Sequence, residues 1–545
     1  MKKIVYIIAG AAMVIATSCK KYLDINQNPN SVTTSTPDLV MPQAIVGSAS
    51  ITYGDYSTGI GRDLMYAANA GGFSGFGTVI SYDYTTSTFT AAWADTYDNV
   101  NDYMYIKRNT AGNAKLVYFN AVARIMTAYM VSMLVDQYDN IPYTQAWQGV
   151  DNVGPKYDKG TDIYKDLAAQ IDTAITMINS GLANPTTTTP FTTASDPLYT
   201  QGATPNMVGW KQFANTVKLR LIVRAGGKVT FNSTTFSSDG FITADAMVNP
   251  GYVKTAGKIS PIFPYSATSS ASTSSRLPST YVVAFYDGTK LKDDKRGAVT
   301  FQKWPSTPSN QLGNETAPTP PSSPVPNSWI KPAYDPVANS FSTATVNGTT
   351  NYSKFGIYKD YTQSVPLITA FESYFLQAEA LVRGYITTAN TGGLDATGCF
   401  NKGIETSFNY LYKDATGAIS SSGSYTSPAT DAAAYRAANP TSYLANLNLA
   451  VGLEQQVEAI ITQKYIANNF VNMHEGWNEY RRTGYPKSYG TAGTPATWLA
   501  SNVSLATRAD KMPTRFPYPS IEYNTNVSNI PTGVDKFNTL IFWAK

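Results

Sequence analysis

The chain has 545 residues and a formal charge of +4, with 43% hydrophobic and 14% charged residues. That length can bury a large core, and the lack of any Lys/Arg tract argues against nucleic acid as a partner. One histidine, His474, and two cysteines, Cys19 and Cys399, are too few for a His/Cys zinc site and remove most Ser-His-Asp and Cys-His schemes; no cofactor or metal is expected.

Lys2 and Lys3 precede an apolar or small run, Ile4–Ala16. As helix this run reaches about 20 Å, short of the ~30 Å bilayer core but suited to a secretory signal. Thr17, Ser18 and Cys19 follow; a cysteine directly after small residues is the acceptor pattern of a bacterial lipoprotein, although Ala16 stands where Leu is commonest. Residues 1–18 therefore read as a signal peptide and Cys19 as the lipidation site, which leaves a mature charge of about +2 once Lys2 and Lys3 are removed. A lipidated Cys19 cannot pair with Cys399. No later apolar run is expected to span a membrane.

Residues 19–42 read as an extended, lipid-anchored tether containing Pro29, Pro37 and Pro42. Residues 43–545 read as one domain. A helix is expected within 43–70, then a Gly/aromatic loop, Ala70 to Phe89, whose glycines free the backbone while Phe73, Phe76, Tyr82 and Tyr84 project from it. Val122, Ile125, Met126, Tyr129, Met133 and Leu134 recur at helical spacing up to Pro142. A second helix is expected to start near Thr161, with the stripe Ile163, Leu167, Ile171, Ile175 and Ile178, and to pair antiparallel with the first. A third stripe runs through Trp210, Phe213, Val217 and Leu221. Ser/Thr/Pro-rich insertions at 266–275 and 305–328 interrupt regular structure, and the "STYVVAFYDG" between them fits strand or helix equally. Helices resume at 366–383, near 401–412 and over 453–470, before a Pro-rich, loop-like C-terminus. The class is mainly α: paired helices with long irregular insertions and no strict 34-residue repeat.

Several segments resemble the SusD/RagB-type nutrient-binding outer-membrane lipoproteins. They are "YLDINQNPNSVTTSTPDLVMPQAI" after Cys19, "MVSMLVDQYDNIPYTQA", "WKQFANTVKLRLIVRA", "PLITAFESYFLQAEALVRG", "IITQKYIANNFVNMHEGWNEYRRTGYP" and "PTRFPYPSIEYNTN", in the family's order. The insertions match nothing in that pattern, and Lys20 and Lys21 stand where surface-exported members often carry acids. The resemblance implies a SusD-like helical fold with tetratricopeptide-like pairs. It also implies an outer-membrane, lipid-anchored location facing the cell exterior, and a SusC-like TonB-dependent β-barrel partner. The protein would capture an oligosaccharide or other nutrient and deliver it to that barrel without breaking a bond.

The 38 Tyr, 22 Phe and 8 Trp suit sugar stacking. Trp304 and Trp329 flank the Pro-rich insertion outside any helical stripe and are candidate ligand platforms; Phe73, Phe76 and Tyr82 are next, with Tyr66 and Asn69 as stacking and amide partners. Trp93, Tyr97, Trp210 and Trp477 read as packing residues and His474 as structural. Glu372 and Glu379, seven residues apart, share a helix face. Glycosidases set two carboxylates ~5–10 Å apart, but Glu379 in "FLQAEA" reads better as an arginine partner, and Glu475, Glu479, Arg481 and Arg482 as structural ion pairs at the end of the 453–470 helix. The alternatives are a helical glycoside hydrolase and a protein-interaction scaffold that binds no small ligand.

Overall fold

Helical periodicity translates into stacked helix pairs. The structure, a computed structural model, describes residues 35–70, 76–192, 194–198, 206–262, 276–301, 304–315, 356–419, 427–491 and 493–545, with backbone alone at 345–346 and 349–350. Among the described residues the longer helices are α1 (Pro37–Ile51), α2 (Thr90–Thr110), α3 (Val117–Tyr138), α4 (Gly160–Ala183), α5 (Met207–Ala225), α6 (Ala370–Val382), α7 (Ala396–Tyr412), α8 (Pro428–Ala438), α9 (Gly452–Ala467) and α10 (Met473–Thr483). The fold is mainly α, as expected.

The pairs are antiparallel, as the contacts along them show. Against α3, α4 runs in reverse: Tyr118 lies over Gly181, Arg124 donates to Gln170 and Tyr164 donates to Asp136. A Cβ at Gly181 would lie 2.4 Å from the Tyr118 ring, so glycine permits the close approach. The turn between them is a small antiparallel ladder, Ile141–Pro142 on Tyr157–Asp158. Likewise α6 and α7 place Phe371 edge-on to Tyr410 and Phe375 over Gly403.

Four expectations change. First, α1 starts at Pro37, inside the expected tether; Pro37 suits the first turn, where its missing N–H costs nothing, and Pro42 is carried within the helix. A π-type continuation, Thr52–Tyr66, follows directly, with turns one residue wider. Second, residues 365–368 form a strand paired antiparallel with Ala246–Val248, and the helix expected from 366 begins at Ala370. Third, the late pattern over 453–470 ends as helix at Ala467; the chain turns through Phe470 (φ 62°) and restarts as α10, so Glu475, Glu479, Arg481 and Arg482 sit on their own helix. Fourth, α3 lies within the stretch Ala114–Tyr138, which by length and apolarity alone could cross a membrane; 89% of its most apolar window is buried inside the protein, so it reads as a core helix. The ambiguous "STYVVAFYDG" gives a short helix, Thr280–Val283, capped by Ser279.

The third stripe is also broader than expected. Helix α5 is buried nearly all round, and its cations are buried with acid partners: Lys211 with Asp239 at 2.8 Å, Lys218 with Asp172 at 2.6 Å and Arg220 with Glu372 at 2.8 Å. Arg224 bridges Asp136 and Glu475. Lys464 lies 2.7 Å from Glu479, and Arg482 grips Glu379 with two contacts of 2.6 Å while also pairing with Glu479. Helices α3, α5, α6, α9 and α10 thus meet on an interior ionic network in which each charge has a partner, the condition for burying charge at all.

Candidate functional site

Two loop regions far apart in sequence meet on one surface. Ala67–Asn69 pairs antiparallel with Arg276–Pro278, with Ala67 opposite Pro278 and Asn69 opposite Arg276. Just before that ladder, the Asp63 carboxylate accepts from Arg276 Nε at 2.7 Å and Nη2 at 2.8 Å, and from Arg62 Nε at 3.1 Å. Burial by itself would raise the Asp63 carboxyl, but the Arg62 and Arg276 guanidiniums outweigh it and hold it well below the usual range. Arg276 also lies over the half-buried Phe76 ring, 5.3 Å from its centre.

Amides lock the third side. Asn69 accepts from Gly313 N at 2.9 Å and donates to the Asn314 carbonyl at 3.2 Å, while Asn310 donates to the Asn69 carbonyl at 2.8 Å. Gly313 needs its glycine twice over: its φ is +86°, and a Cβ would lie 2.6 Å from Ser501 Oγ. Residues 501–505 close the arrangement, with Asn502 N donating to the Leu312 carbonyl and Leu505 N to the Ser81 carbonyl.

The residues singled out from sequence divide four ways. Phe76 keeps partial exposure at this surface. Tyr66, Asn69 and Tyr82 lie beneath it: Tyr66 is stacked on Tyr465 (4.5 Å between ring centres, 15° between planes) and donates to that residue's carbonyl, and the Tyr82 hydroxyl accepts from Ser501 N at 3.1 Å. Their rings and polar atoms are committed to the protein interior, so they shape the surface without presenting stacking faces. Trp304 is half-buried on a different support, stacked on Phe301 at 6.1 Å, edge-on to Tyr286 at 6.3 Å and over Gly297. Cys19, Phe73 and Trp329 lie outside the described residues, as does most of the 305–328 insertion. Sequence reading missed Asp63, Arg276, Asn310 and Gly313; the local signals were an arginine directly after the Ser/Thr-rich run and an asparagine inside the Pro-rich one.

The remaining assignments are structural. Trp93, Trp210 and Trp477 are core residues, and Glu379 is paired with Arg482 and Arg383. Glu372, Glu379, Glu475 and Glu479 are all buried in the ionic network, where no substrate reaches them. His474 is buried edge-on to Tyr56. Cys399 is a buried free thiol on α7. Among the described residues no group of three or more His, Cys, Asp or Glu side chains is placed to hold a metal.

Comparison with known proteins agrees with this architecture. Residues 29–274 match the family model for starch-binding proteins associating with the outer membrane (SusD-like), and residues 325–544 match that for the SusD and RagB outer membrane lipoproteins. Among solved structures, a Bacteroides vulgatus ATCC 8482 protein, inferred to be an outer membrane protein involved in nutrient binding, superposes with a TM-score of 0.64 at 20% identity over 94% of this chain and 100% of its own. A SusD homologue from Bacteroides fragilis NCTC 9343 superposes with a TM-score of 0.60 at 19% identity, covering 94% of this chain and 99% of its own. A chitin-binding SusD homologue from Flavobacterium johnsoniae gives a TM-score of 0.60 at 17% identity, covering 92% and 98%. No curated protein matches the chain. Two family models in consecutive order, together with a shared fold along the chain's length, place this protein in the SusD/RagB family of outer-membrane lipoproteins.

Proposed function

We propose that this protein is a cell-surface lipoprotein that captures an oligosaccharide or other nutrient and passes it to a SusC-like TonB-dependent β-barrel. Residues 1–18 are removed as a signal peptide, Cys19 carries the lipid, and the segment from Cys19 to the start of α1 tethers the domain. The observation that carries the capture step is the surface where 62–70 and 76–84 meet 276–301 and 304–315: a partly exposed Phe76 ring with the Arg276 guanidinium over it, set on the buried Asn69 and Asn310 amides that fix the loops beneath. A flat, partly exposed ring suits the C–H face of a sugar. The chitin-binding relative from Flavobacterium supports a glycan as cargo. No bond is broken in this scheme.

The test is calorimetric titration with a broad panel of soluble oligosaccharides, repeated on Phe76→Ala, Trp304→Ala and Trp329→Ala. A shallow platform that immobilises a flexible ligand gives micromolar to millimolar affinity. The expected result is at least one ligand whose binding is lost in one of these variants. Failure of every glycan removes the sugar cargo. Failure to co-purify a β-barrel from the native outer membrane removes the delivery step.

A further inference from the structure

A cleft of about 660 Å³ opens elsewhere on the molecule, lined by Leu198, Asn206 and residues of 244–247, 359–364 and 410–417. It shares no lining residue with the surface around Phe76. Its volume falls within the ~300–1,000 Å³ usual for small-ligand sites.

The walls are fixed from three directions. The strand Ala246–Val248, paired with Val365–Ile368, supplies one side. The Lys359 ammonium donates to the Leu411 carbonyl at 2.6 Å, and the Gln363 amide is held between Lys359 N and the Ile357 carbonyl. The rim is a tight turn after α7, in which Asp414 Oδ1 accepts from Thr416 N at 2.8 Å and Thr416 Oγ1 at 2.6 Å, with Gly417 at φ 86°.

Inside, Lys413 Nζ lies 2.7 Å from Asp245 Oδ2, while Asp245 Oδ1 accepts from Ala370 N at 2.9 Å at the start of α6. The carboxylate is therefore held in place by a helix end, and with Lys413 it sets an acceptor and a donor side by side. Both signs of charge line the cleft, which disfavours a strongly charged ligand of either sign. A vicinal diol fits: one hydroxyl donates to Asp245 while its neighbour accepts from Lys413.

We propose that this cleft is a second carbohydrate subsite, taking a neutral mono- or disaccharide through the Asp245–Lys413 pair. The inference rests on the carbohydrate reading above for its ligand class, but not on the surface around Phe76.

The test is saturation-transfer NMR and calorimetry on the full protein with glucose, N-acetylglucosamine, maltose, cellobiose, xylobiose and N,N′-diacetylchitobiose. The same measurements are made on Lys413→Met, Thr416→Trp and Phe76→Ala, with maltohexaose and chitohexaose titrated alongside. Thr416 is exposed on the rim, so the tryptophan fills the mouth without entering the core and serves if Lys413→Met fails to fold. The expected result is binding of at least one small sugar, weakened tenfold or more by Thr416→Trp and Lys413→Met and unchanged by Phe76→Ala. Binding indifferent to both cleft variants overturns the subsite. No small-sugar binding, with a hexasaccharide bound and lost in Phe76→Ala, overturns the subsite alone. No binding of any sugar overturns both it and the glycan cargo.

Discussion

Arg276 grips Asp63 with two hydrogen bonds, 2.7 and 2.8 Å, across 213 residues of sequence. This forked contact sits at the root of the short ladder that brings the loops after the first helical segment against the residues flanking the Ser/Thr-rich insertion. A planar guanidinium suits it because both carboxylate oxygens are engaged at fixed spacing.

Asp63→Asn is expected to cost about 3 kcal/mol, as for breaking a buried pair, and to loosen the ladder between Ala67–Asn69 and Arg276–Pro278. The pair also sets a pH dependence. The folded carboxyl is depressed, so its contribution is complete above the unfolded-chain value of ~3.9 and is lost as the pH falls below that toward the folded value. Urea unfolding of wild type and Asp63→Asn should differ most at neutral pH, with the gap narrowing below pH 4. A constant gap down to pH 2 would contradict the assignment.

Arg224 is the hinge of the interior network, joining Asp136 on α3 to Glu475 on α10. Arg224→Met leaves two buried carboxylates short of a cation and should cost ~3–5 kcal/mol. Arg224→Lys should recover little, since one ammonium cannot reproduce the fork. Denaturant midpoints of the two variants are the measurement; a lysine variant as stable as wild type would show that charge alone suffices.

His474 is the chain's single histidine, so its titration can be read without assignment. Burial is the main cause that lowers its pKa, to about 4, with Arg220, Arg224 and Lys464 adding to the effect and Glu475 opposing it. Between about 6.5 and about 4 the unfolded chain binds this proton and the folded chain does not. Stability should therefore fall as the pH drops through that window, by about 3 kcal/mol in all from this group. An imidazole resonance in the folded protein that titrates near 6.5 would refute the burial argument.

Gly61 lies against the start of α10, where a Cβ would sit 2.1 Å from the backbone nitrogen of His474. Backbone cannot yield as a flexible side chain can. Gly61→Ala should therefore lower stability by about 3 kcal/mol or more, visible as a drop in Tm, whereas Gly54→Ala, with open space around it, should move Tm far less.

Long incubation with any bound oligosaccharide should leave its chain length unchanged by chromatography. The helix-borne carboxylates that a glycosidase reading would use, Glu372 and Glu379, are 0% and 1% exposed, and Glu379 is gripped by Arg482. Released product would revive the hydrolase alternative.

Most helices were legible because an apolar stripe at 3.6-residue spacing is a local property: Val122 to Leu134 and Ile163 to Ile178 are visible in one window each. The stripes misled where burial was total. In α5 the apolar positions predicted one buried face, yet Lys218, Arg220 and Arg224 are interior too, since partners on other helices neutralise them. The continuous apolar pattern over 453–470 hid the turn at Phe470, a left-handed residue with no sequence mark of its own.

The candidate surface was half legible. Aromatic loops flagged Phe76, but composition cannot say which ring faces outward: Tyr82 went under the surface to meet Ser501, and Tyr66 went to stack on Tyr465. The sequence by itself determined the mainly helical class and the family resemblance, because helix periodicity and segment order are carried by neighbours along the chain. Only the tertiary structure decided that Asp63 meets Arg276, that Asp245 meets Lys413 and that Arg224 joins Asp136 to Glu475. Such pairings depend on where remote segments come to lie, and in each the cost of removing a charge from water is met only by a partner that no local pattern announces.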